Sequence, residues 1–242
     1  MRHSPLVSGL MKSGLLYLVS TPIDDHSNLT AETVEFVKSE WERGSIIAVE
    51  EAKACRRRWL RFGLPKEAIA DFVIYNEHNQ KNDASQLVKE LKSGKNILLF
   101  SDCGLPAFCD PGQYLVQECH RQGIRVSATA CHNSPLLAFA LSGFEAKEWV
   151  FRGFLPRNKE EYTKKLGQLV SESRVQLIMD TPYRLTKTLS SLSNAMPNRQ
   201  ALLALDLGME TERVKRGQLA KLCKEFSDIK AEFILVLGPK LL

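Results

Sequence analysis

The first half of the chain alternates short leucine-rich or β-branched runs with amphipathic stretches, and this alternation constrains the fold more than any other feature. The pattern is typical of βαβ units, in which helices connect the parallel strands of one sheet. Asn28 or Thr30 can cap a helix that continues through Trp41, and Asp83 can cap one that ends near Gly94. We expect buried strands at 15–21, 45–50, 71–75, 96–102 and 124–129.

Two further segments of this half have helical character. In 52–62, apolar and basic side chains fall on separate faces at helical spacing, which predicts a core face and a solvated face. The apolar face carries Cys55, Trp59 and Phe62, and the basic face carries Lys53, Arg57 and Arg61. The segment 111–123 has Pro111 at a first-turn position and closes with Gly123.

Beyond Ala130 the rhythm changes to a second α/β unit. It opens with an apolar helix at 134–144, and we expect helices from Asn158, from Pro182 and at 218–226. Strands are predicted at 149–155, 174–180, 201–207 and 232–238. The predicted organisation is therefore an N-terminal tail at 1–13, a first α/β domain at 14–129 and a second at 130–242.

Composition narrows the class of protein. Of 242 residues, 44% are hydrophobic and 25% are charged, which is ordinary for globular chains and excludes long disorder. The net charge of +5 permits nucleic-acid binding without requiring it. No apolar run is long enough for a secretory signal or a membrane helix, so we expect a cytoplasmic protein without membrane partners.

The six cysteines lack the C-x-x-C spacing of metal sites and the density of disulfide scaffolds. Cys119, His120, Cys131 and His132 form a conceivable zinc set, but their adjacent pairing fits metal-ligand spacing poorly. We therefore expect no metal and interpret the cysteines as reduced, buried, small apolar residues.

Two loops rich in proline, glycine and aspartate follow predicted strands, at 20–25 and 101–112. Loops at strand ends are where open α/β sheets form ligand sites. Neither loop contains G-x-G-x-x-G or G-x-x-x-x-G-K-[ST], which disfavours a standard dinucleotide-binding enzyme or a P-loop NTPase. The second loop offers backbone groups and a carboxylate to a polar ligand, although a tight structural turn is an equally good interpretation.

These segments resemble the tetrapyrrole-methylase superfamily, and in particular its ribosomal-RNA branch. The branch reads TPIGNL, AAEDTR and SDAGTP-x-x-DPG where this chain has STPI, IIAVEEAK and SDCGLPAFCDPG. Further on, GFLPR, IMDTPYRL, ALDL and KAEFILVL resemble the family's GFLP, FYESPHRL, ARELTK and KGEFVLVI segments. The resemblance extends over about residues 14–238.

The resemblance implies two α/β domains of the tetrapyrrole-methylase fold with the ligand cleft between them. It implies S-adenosylmethionine as methyl donor, a homodimer, and methyl transfer to ribosomal RNA in the small subunit, of the ribose 2′-O type. On matching positions, Pro22, Asp102, Gly104 and Leu105 would line the donor pocket from the first domain. From the second domain it implies Ser134, Ala204 and Asp206.

The chemistry needs little acid–base apparatus, because a sulfonium is already a good leaving group and the protein mainly aligns the reactants. A ribose hydroxyl acceptor would still benefit from a general base. Three carboxylates stand where the family also has acids, namely Glu50, Glu51 and Asp180. The alternative for each is a structural cap or an ion pair, for example with Lys53 or Arg184.

Several family elements are altered, and they bear on the substrate. The family's GNL is Asp24, Asp25 and His26; its EDTR is 50–53; its P-G-P loop is 130–132; and its E-L-T-K stretch is 206–209. The chain also ends where the branch continues into a further helical segment. Two alternatives therefore stand beside an RNA substrate, namely a tetrapyrrole or other small molecule, and a degenerate paralogue that binds donor or RNA without catalysis.

Basic residues favour RNA over a small molecule. One group surrounds Trp59, and another follows the GFLPR segment. The candidates for phosphate contacts are Arg56, Arg57, Arg58, Arg61, Lys159, Lys164 and Lys165. A solvated helix face is the alternative for each group, and Trp59 is more typical of a core residue than of a base-stacking platform.

Overall fold

The structure is a computed structural model that describes residues 13–226 and 228–240. The tail predicted at 1–13 lies, except for its last residue, outside the described residues. The chain divides into two compact units, Met1–His132 and Asn133–Leu242, where the sequence predicted a boundary after 129. Over the described ranges, no helix is long and apolar enough to cross a membrane, and no cluster of three or more metal-ligating side chains occurs.

The first unit is built on a five-stranded parallel sheet, as predicted. Its strands are β1 (Leu16–Val19), β2 (Ile46–Val49), β3 (Val73–Ile74), β4 (Ile97–Phe100) and β5 (Val126–Ala128). Their order is β3-β2-β4-β1-β5, and every pairing is parallel. The central strand β4 is buried throughout, because helices cover both faces of a parallel sheet.

Four helices flank this sheet: α1 (Ala31–Glu42), α2 (Ala52–Arg61), α3 (Gln80–Lys92) and α4 (Gln113–Arg121). A short 3-10 helix spans Lys66–Asp71. Two hydrophobic clusters fill the unit, one around Leu16 and Leu91 and the other around Val37 and Trp59. Trp59 packs edge-on against Phe72 and Phe100, which confirms it as a core residue.

Two helix starts differ from the prediction. Helix α3 begins at Gln80 and not at Asp83, because the side chain of Asn79 bonds Asn76 N at 2.7 Å and Ile74 O at 2.8 Å and orders the preceding turn. Gly112 is the N-cap of α4, so Pro111 precedes the helix and does not occupy its first turn.

The second unit contains a mixed five-stranded sheet. Its strands are β6 (Trp149–Gly153), β7 (Val175–Asp180), β8 (Gln200–Leu205), β9 (Arg213–Gln218) and β10 (Phe233–Leu237). Their order is β6-β7-β10-β8-β9; β6 is parallel to β7 and the other pairings are antiparallel. The helices are α5 (Ser134–Ser142), α6 (Lys159–Ser171), α7 (Leu185–Ala195) and α8 (Leu219–Phe226).

Strand β9 was not predicted from sequence. Its first four residues are exposed and three of them are cationic, so the segment lacks the apolar alternation of a strand. It is an edge strand that pairs with β8 from Gln200 to Leu205, and charged side chains on an edge discourage further pairing. The helix predicted from Pro182 starts as a 3-10 turn, Pro182–Arg184, and becomes α7 at Leu185.

The cysteines correct one expectation. Cys55 and Cys119 are buried, as predicted, but Cys103, Cys109 and Cys131 are exposed. All three exposed cysteines lie in loops that follow strands β4 and β5, outside the apolar strands and helix faces that form the core.

Candidate active site

Strands β1 and β4 are neighbours whose outgoing connections lead in opposite directions. After β1 the chain passes beyond β4 to β2, and after β4 it passes beyond β1 to β5. Such a switch point leaves a crevice at the carboxyl ends of the strands, where open α/β sheets bind ligands. The two loops selected from sequence, 20–25 and 101–112, both begin there.

Backbone hydrogen bonds join the two loops. Thr21 N donates to Gly104 O at 2.8 Å, and Gly104 N donates to Thr21 O at 3.1 Å. The Ser20 hydroxyl donates to the same Gly104 O at 3.1 Å and accepts from His132 N at 2.9 Å. The sequence motifs on separate strands are therefore parts of one structure, and the predicted residues Pro22, Gly104 and Leu105 lie within it.

The side chain of Arg58, on α2, bridges the two loops. Its side chain is buried at 5% exposure, and its guanidinium donates to Pro22 O at 2.5 Å, to Asp24 O at 2.6 Å and to Asp102 O. The prediction that Arg58 meets phosphates is wrong, because its donors are directed at carbonyl groups of the protein. Arg56 and Arg57 remain exposed on the same helix.

The first loop, which replaces the family's glycine and asparagine, is stabilised by its own side chains. Asp24 Oδ1 accepts from His26 N at 2.7 Å and from Ser27 N at 2.5 Å. Burial acts to raise the pKa of Asp24, but these hydrogen bonds outweigh it and the pKa is lowered. Arg61 also donates to Ser27 O at 3.0 Å and to Asp25 O, so its charged end serves this loop as well.

The second loop is strained. Ala107 and Cys109 adopt φ angles of 64° and 66°, a region that residues with a Cβ rarely occupy. Gly112 has φ 138°, and a Cβ there would lie 3.0 Å from both Ala107 Cβ and Leu99 Cδ2. Strain of this kind persists where the surrounding structure enforces it, and it concentrates at functional sites.

Three carboxylates gather where β2 and β4 end, and each has a raised pKa. Burial is the main cause for Glu50, Asp102 and Asp110, and the charges of neighbouring acids add to it. For Asp110 the pKa rises to about 7. Glu50 Oε2 accepts from Asp102 N at 3.4 Å, so the predicted alternative of an ion pair with Lys53 is not what holds this side chain.

Asp102 has a feature that points to a ligand. Its Oδ1 is buried and has no hydrogen-bond partner among the described residues. An unmade bond of this kind is costly unless another group supplies the donor. Glu51, by contrast, is exposed at the N-cap of α2.

In the second unit, Asp180 fits its predicted structural alternative. It is 3% exposed at the end of β7, and its Oδ2 lies 3.3 Å from Arg184 Nη1. Its Oδ1 accepts from Thr181 N at 2.9 Å. Arg184 in turn donates to Leu155 O at 2.6 Å and Pro156 O at 2.9 Å, so this ion pair fixes the GFLPR segment.

The remaining predicted donor contacts of this unit have distinct local settings. Ser134 is the first residue of α5, and Ala204 is fully buried in β8. Asp206 has φ 47°, and its carboxylate accepts from Glu232 N at 3.0 Å and from the Thr211 hydroxyl at 3.1 Å.

Sequence reasoning missed two residues of the site. Asp110 lies inside the quoted SDCGLPAFCDPG element, so the motif itself held the signal. Arg58 gave none, because its neighbours in sequence are also arginines and only the packing of α2 selects which one is buried.

A parallel sheet with two joined loops at its switch point defines an α/β protein of the kind that binds ligands at the carboxyl ends of its strands. Comparison with known proteins then specifies the class. Residues 15–223 match the family model of Tetrapyrrole (Corrin/Porphyrin) Methylases, and the chain belongs to this family. Membership confirms the predicted enzyme class, a methyltransferase that takes its methyl group from S-adenosylmethionine.

Curated relatives extend the match over nearly the whole chain. Ribosomal RNA small subunit methyltransferase I of Bacillus subtilis is 30% identical, over 98% of this chain and 79% of the relative. The protein of the same name from Thermotoga maritima is 28% identical, over 94% of this chain and 99% of the relative.

Solved structures confirm the predicted fold. Diphthine synthase superposes with a TM-score of 0.64 at 15% identity, covering 95% of this chain and 92% of that one. Uroporphyrin-III C-methyltransferase from Thermus thermophilus, complexed with S-adenyl homocysteine, gives 0.54 at 14% identity, covering 93% and 97%.

Proposed function

We propose that this chain methylates ribosomal RNA of the small subunit at a ribose 2′-hydroxyl, with S-adenosylmethionine as donor. The observation that carries the proposal is the similarity to ribosomal RNA small subunit methyltransferase I at 30% identity over 98% of the chain. The same name recurs for relatives from Thermotoga maritima and Synechocystis, at 28% and 30% identity.

The loops of the first unit are where we place the donor, with Pro22, Asp102, Gly104 and Leu105 as its contacts. When bound, the donor supplies a methyl group on a positively charged sulfur. The residues present fit such a group, because Asp102 offers a buried, unpartnered oxygen that can accept a hydrogen bond from the donor. Ser134, Ala204 and Asp206 of the second unit stay predicted donor contacts.

For the general base, the candidates divide by their surroundings. Asp180 forms an ion pair with Arg184 and accepts from Thr181 N, which favours a structural role, while its buried Oδ2 has no hydrogen-bond partner among the described residues. Glu50 and Glu51 are the candidates that we retain, and of these Glu51 is the more exposed. We also propose that the protein acts in the cytoplasm, where ribosomes are, and as a homodimer.

The donor site is tested by calorimetric titration with S-adenosylmethionine. We expect Asp102→Ala to weaken binding by about 10- to 150-fold, because a hydrogen bond to a charged group contributes about 1.5 to 3 kcal/mol. The matched control is Asp71→Ala, which removes an exposed aspartate from the 3-10 helix of the same unit. Equal affinities of the two variants would remove Asp102 from the site.

The acceptor is tested with tritiated S-adenosylmethionine and small ribosomal subunits from a strain that lacks its own enzyme of this kind. We expect label in the RNA, at a linkage that resists alkaline hydrolysis because its 2′-oxygen is methylated. Label in uroporphyrinogen but not RNA would establish the small-molecule alternative. Donor binding without transfer to either acceptor would establish a non-catalytic paralogue.

A further inference from the structure

Antiparallel pairing brings an exposed tyrosine and a lysine together at one end of the second sheet. Asp180 of β7 lies opposite Phe233 of β10 in the register. Tyr183 follows Asp180 by three residues and Lys230 precedes Phe233 by three, so the two extensions leave the sheet side by side. Lys230 Nζ lies 3.9 Å from the centroid of the Tyr183 ring.

The turn that carries Tyr183 is rigid. Pro182 restricts the backbone at its start, and Arg184 N donates to Thr181 O at 3.0 Å. The Arg184 side chain is held by Asp180 and by the carbonyl groups of Leu155 and Pro156. The residue next to Tyr183 is therefore anchored in the unit, which fixes the direction in which the ring projects.

The Tyr183 ring nevertheless projects into solvent. It is 79% exposed, far more than the next exposed large apolar side chain, Phe154, at 48%. A ring that is this exposed contributes little burial to folding, and an aromatic face in solvent can stack on a nucleic-acid base. Because Lys230 approaches one face, the other face can accept a planar partner.

Lys230 supplies the positive charge beside this ring. Lys187, one helical turn further on, is exposed, but its Nζ lies 4.8 Å over the ring of Tyr162. The charge of Asp180 is buried and paired with Arg184. Exposed Glu232, two residues from Lys230, offsets part of the positive charge, so we expect stacking to contribute more than phosphate contacts.

We propose that Tyr183 and Lys230 form a surface that binds unpaired RNA, with one base stacked on the Tyr183 ring and the Lys230 ammonium near a neighbouring phosphate. Aromatic rings beside cations are how proteins hold single-stranded RNA without reading its sequence. The proposal rests on the proposed function, since it assigns to that RNA a binding surface in the second unit.

The test is fluorescence anisotropy with a fluorescein-labelled, mixed-sequence single-stranded RNA of about 12 nucleotides, without S-adenosylmethionine. Tyr183→Ala should weaken binding by about 5- to 150-fold, which corresponds to about 1 to 3 kcal/mol per stacked base. Tyr183→Phe should bind as the unchanged protein does, because it keeps the ring. The same RNA annealed to its complement should be bound without sensitivity to Tyr183→Ala.

The matched control is Tyr114→Ala. Tyr114 is also an exposed tyrosine with a lysine over its ring, Lys81 at 5.4 Å, but it lies on α4 of the first unit. Equal losses for the two alanine variants, or no RNA binding by the unchanged protein, would overturn the proposal. So would a change of oligomeric state in Tyr183→Ala by light scattering, because the ring would then belong to an interface between copies of the chain.

This experiment is separable from the proposed function. Anisotropy requires neither donor binding nor turnover, so a protein that methylates no RNA can still show or lack the stacking surface. Conversely, methylation of small subunits with a KM for RNA unchanged by Tyr183→Ala would leave the proposed function standing and refute this surface.

Discussion

Replacement of Arg58 by methionine tests whether one buried guanidinium holds the two ligand loops together. Methionine keeps an unbranched apolar stem but lacks the guanidinium, so the carbonyl groups of Pro22, Asp24 and Asp102 lose their donor. A buried acceptor left unsatisfied costs about 1 to 3 kcal/mol, and loop relaxation or water recovers part of this. For three acceptors we expect the free energy of unfolding to fall by about 2 to 4 kcal/mol.

The assay is urea denaturation of the protein, which gives the free energy of unfolding, followed by donor titration of the folded protein. Arg56→Met is the control, since Arg56 is exposed on the same helix and its loss should cost under about 0.5 kcal/mol. Arg58→Lys should fall between the two, because an ammonium keeps the charge but cannot reach three carbonyls in the planar arrangement of a guanidinium.

Donor affinity gives an independent readout. Once the loops are no longer held in register, we expect Arg58→Met to bind S-adenosylmethionine at least about tenfold more weakly, because part of the binding energy goes into ordering them. If Arg58→Met proved as stable as Arg56→Met and bound donor equally well, the bridging role assigned to Arg58 would be refuted.

Three further outcomes follow from the structure. In urea denaturation, Gly112→Ala should lower the free energy of unfolding by at least about 2 kcal/mol more than Gly123→Ala does. Both glycines have positive φ, but of the two only Gly112 lacks room for a Cβ. Equal losses would contradict the steric account. Because the pKa of Asp110 is raised from 3.8 to about 7, the folded state retains a proton that the unfolded chain releases, and stability falls as pH rises between these values. Asp110→Asn should therefore stabilise the protein at about pH 8 and change little at about pH 4, and a pH-independent effect would refute this. Arg184→Met should destabilise by about 3 to 5 kcal/mol by isolating the charge of buried Asp180, and the loss should shrink in the Asp180→Asn background.

The apolar pattern carried most of the fold. A run such as 97–100, which is apolar throughout, has few stable placements other than the centre of a parallel sheet, and β4 lies there. Caps were legible where a side chain performs the capping, as at Thr30 and Asn158, whose oxygens accept from the first-turn N–H groups. Strand β9 could not be predicted from the sequence, because an edge strand needs little burial and its cationic residues are typical of a loop.

The sequence alone determined the family and singled out two loops that resemble a methyl-donor site, because motif spacing survives in the linear order of residues. It did not determine that Arg58, among four arginines of one helix, is buried, that Asp102 retains an unpartnered oxygen, or that Tyr183 projects beside Lys230. Those facts depend on strand order and register, which bring together residues as much as 112 positions apart, as Ser20 and His132 are. Local conformational preferences depend only on residues that are close in sequence, so these long-range contacts are decided by the tertiary structure alone.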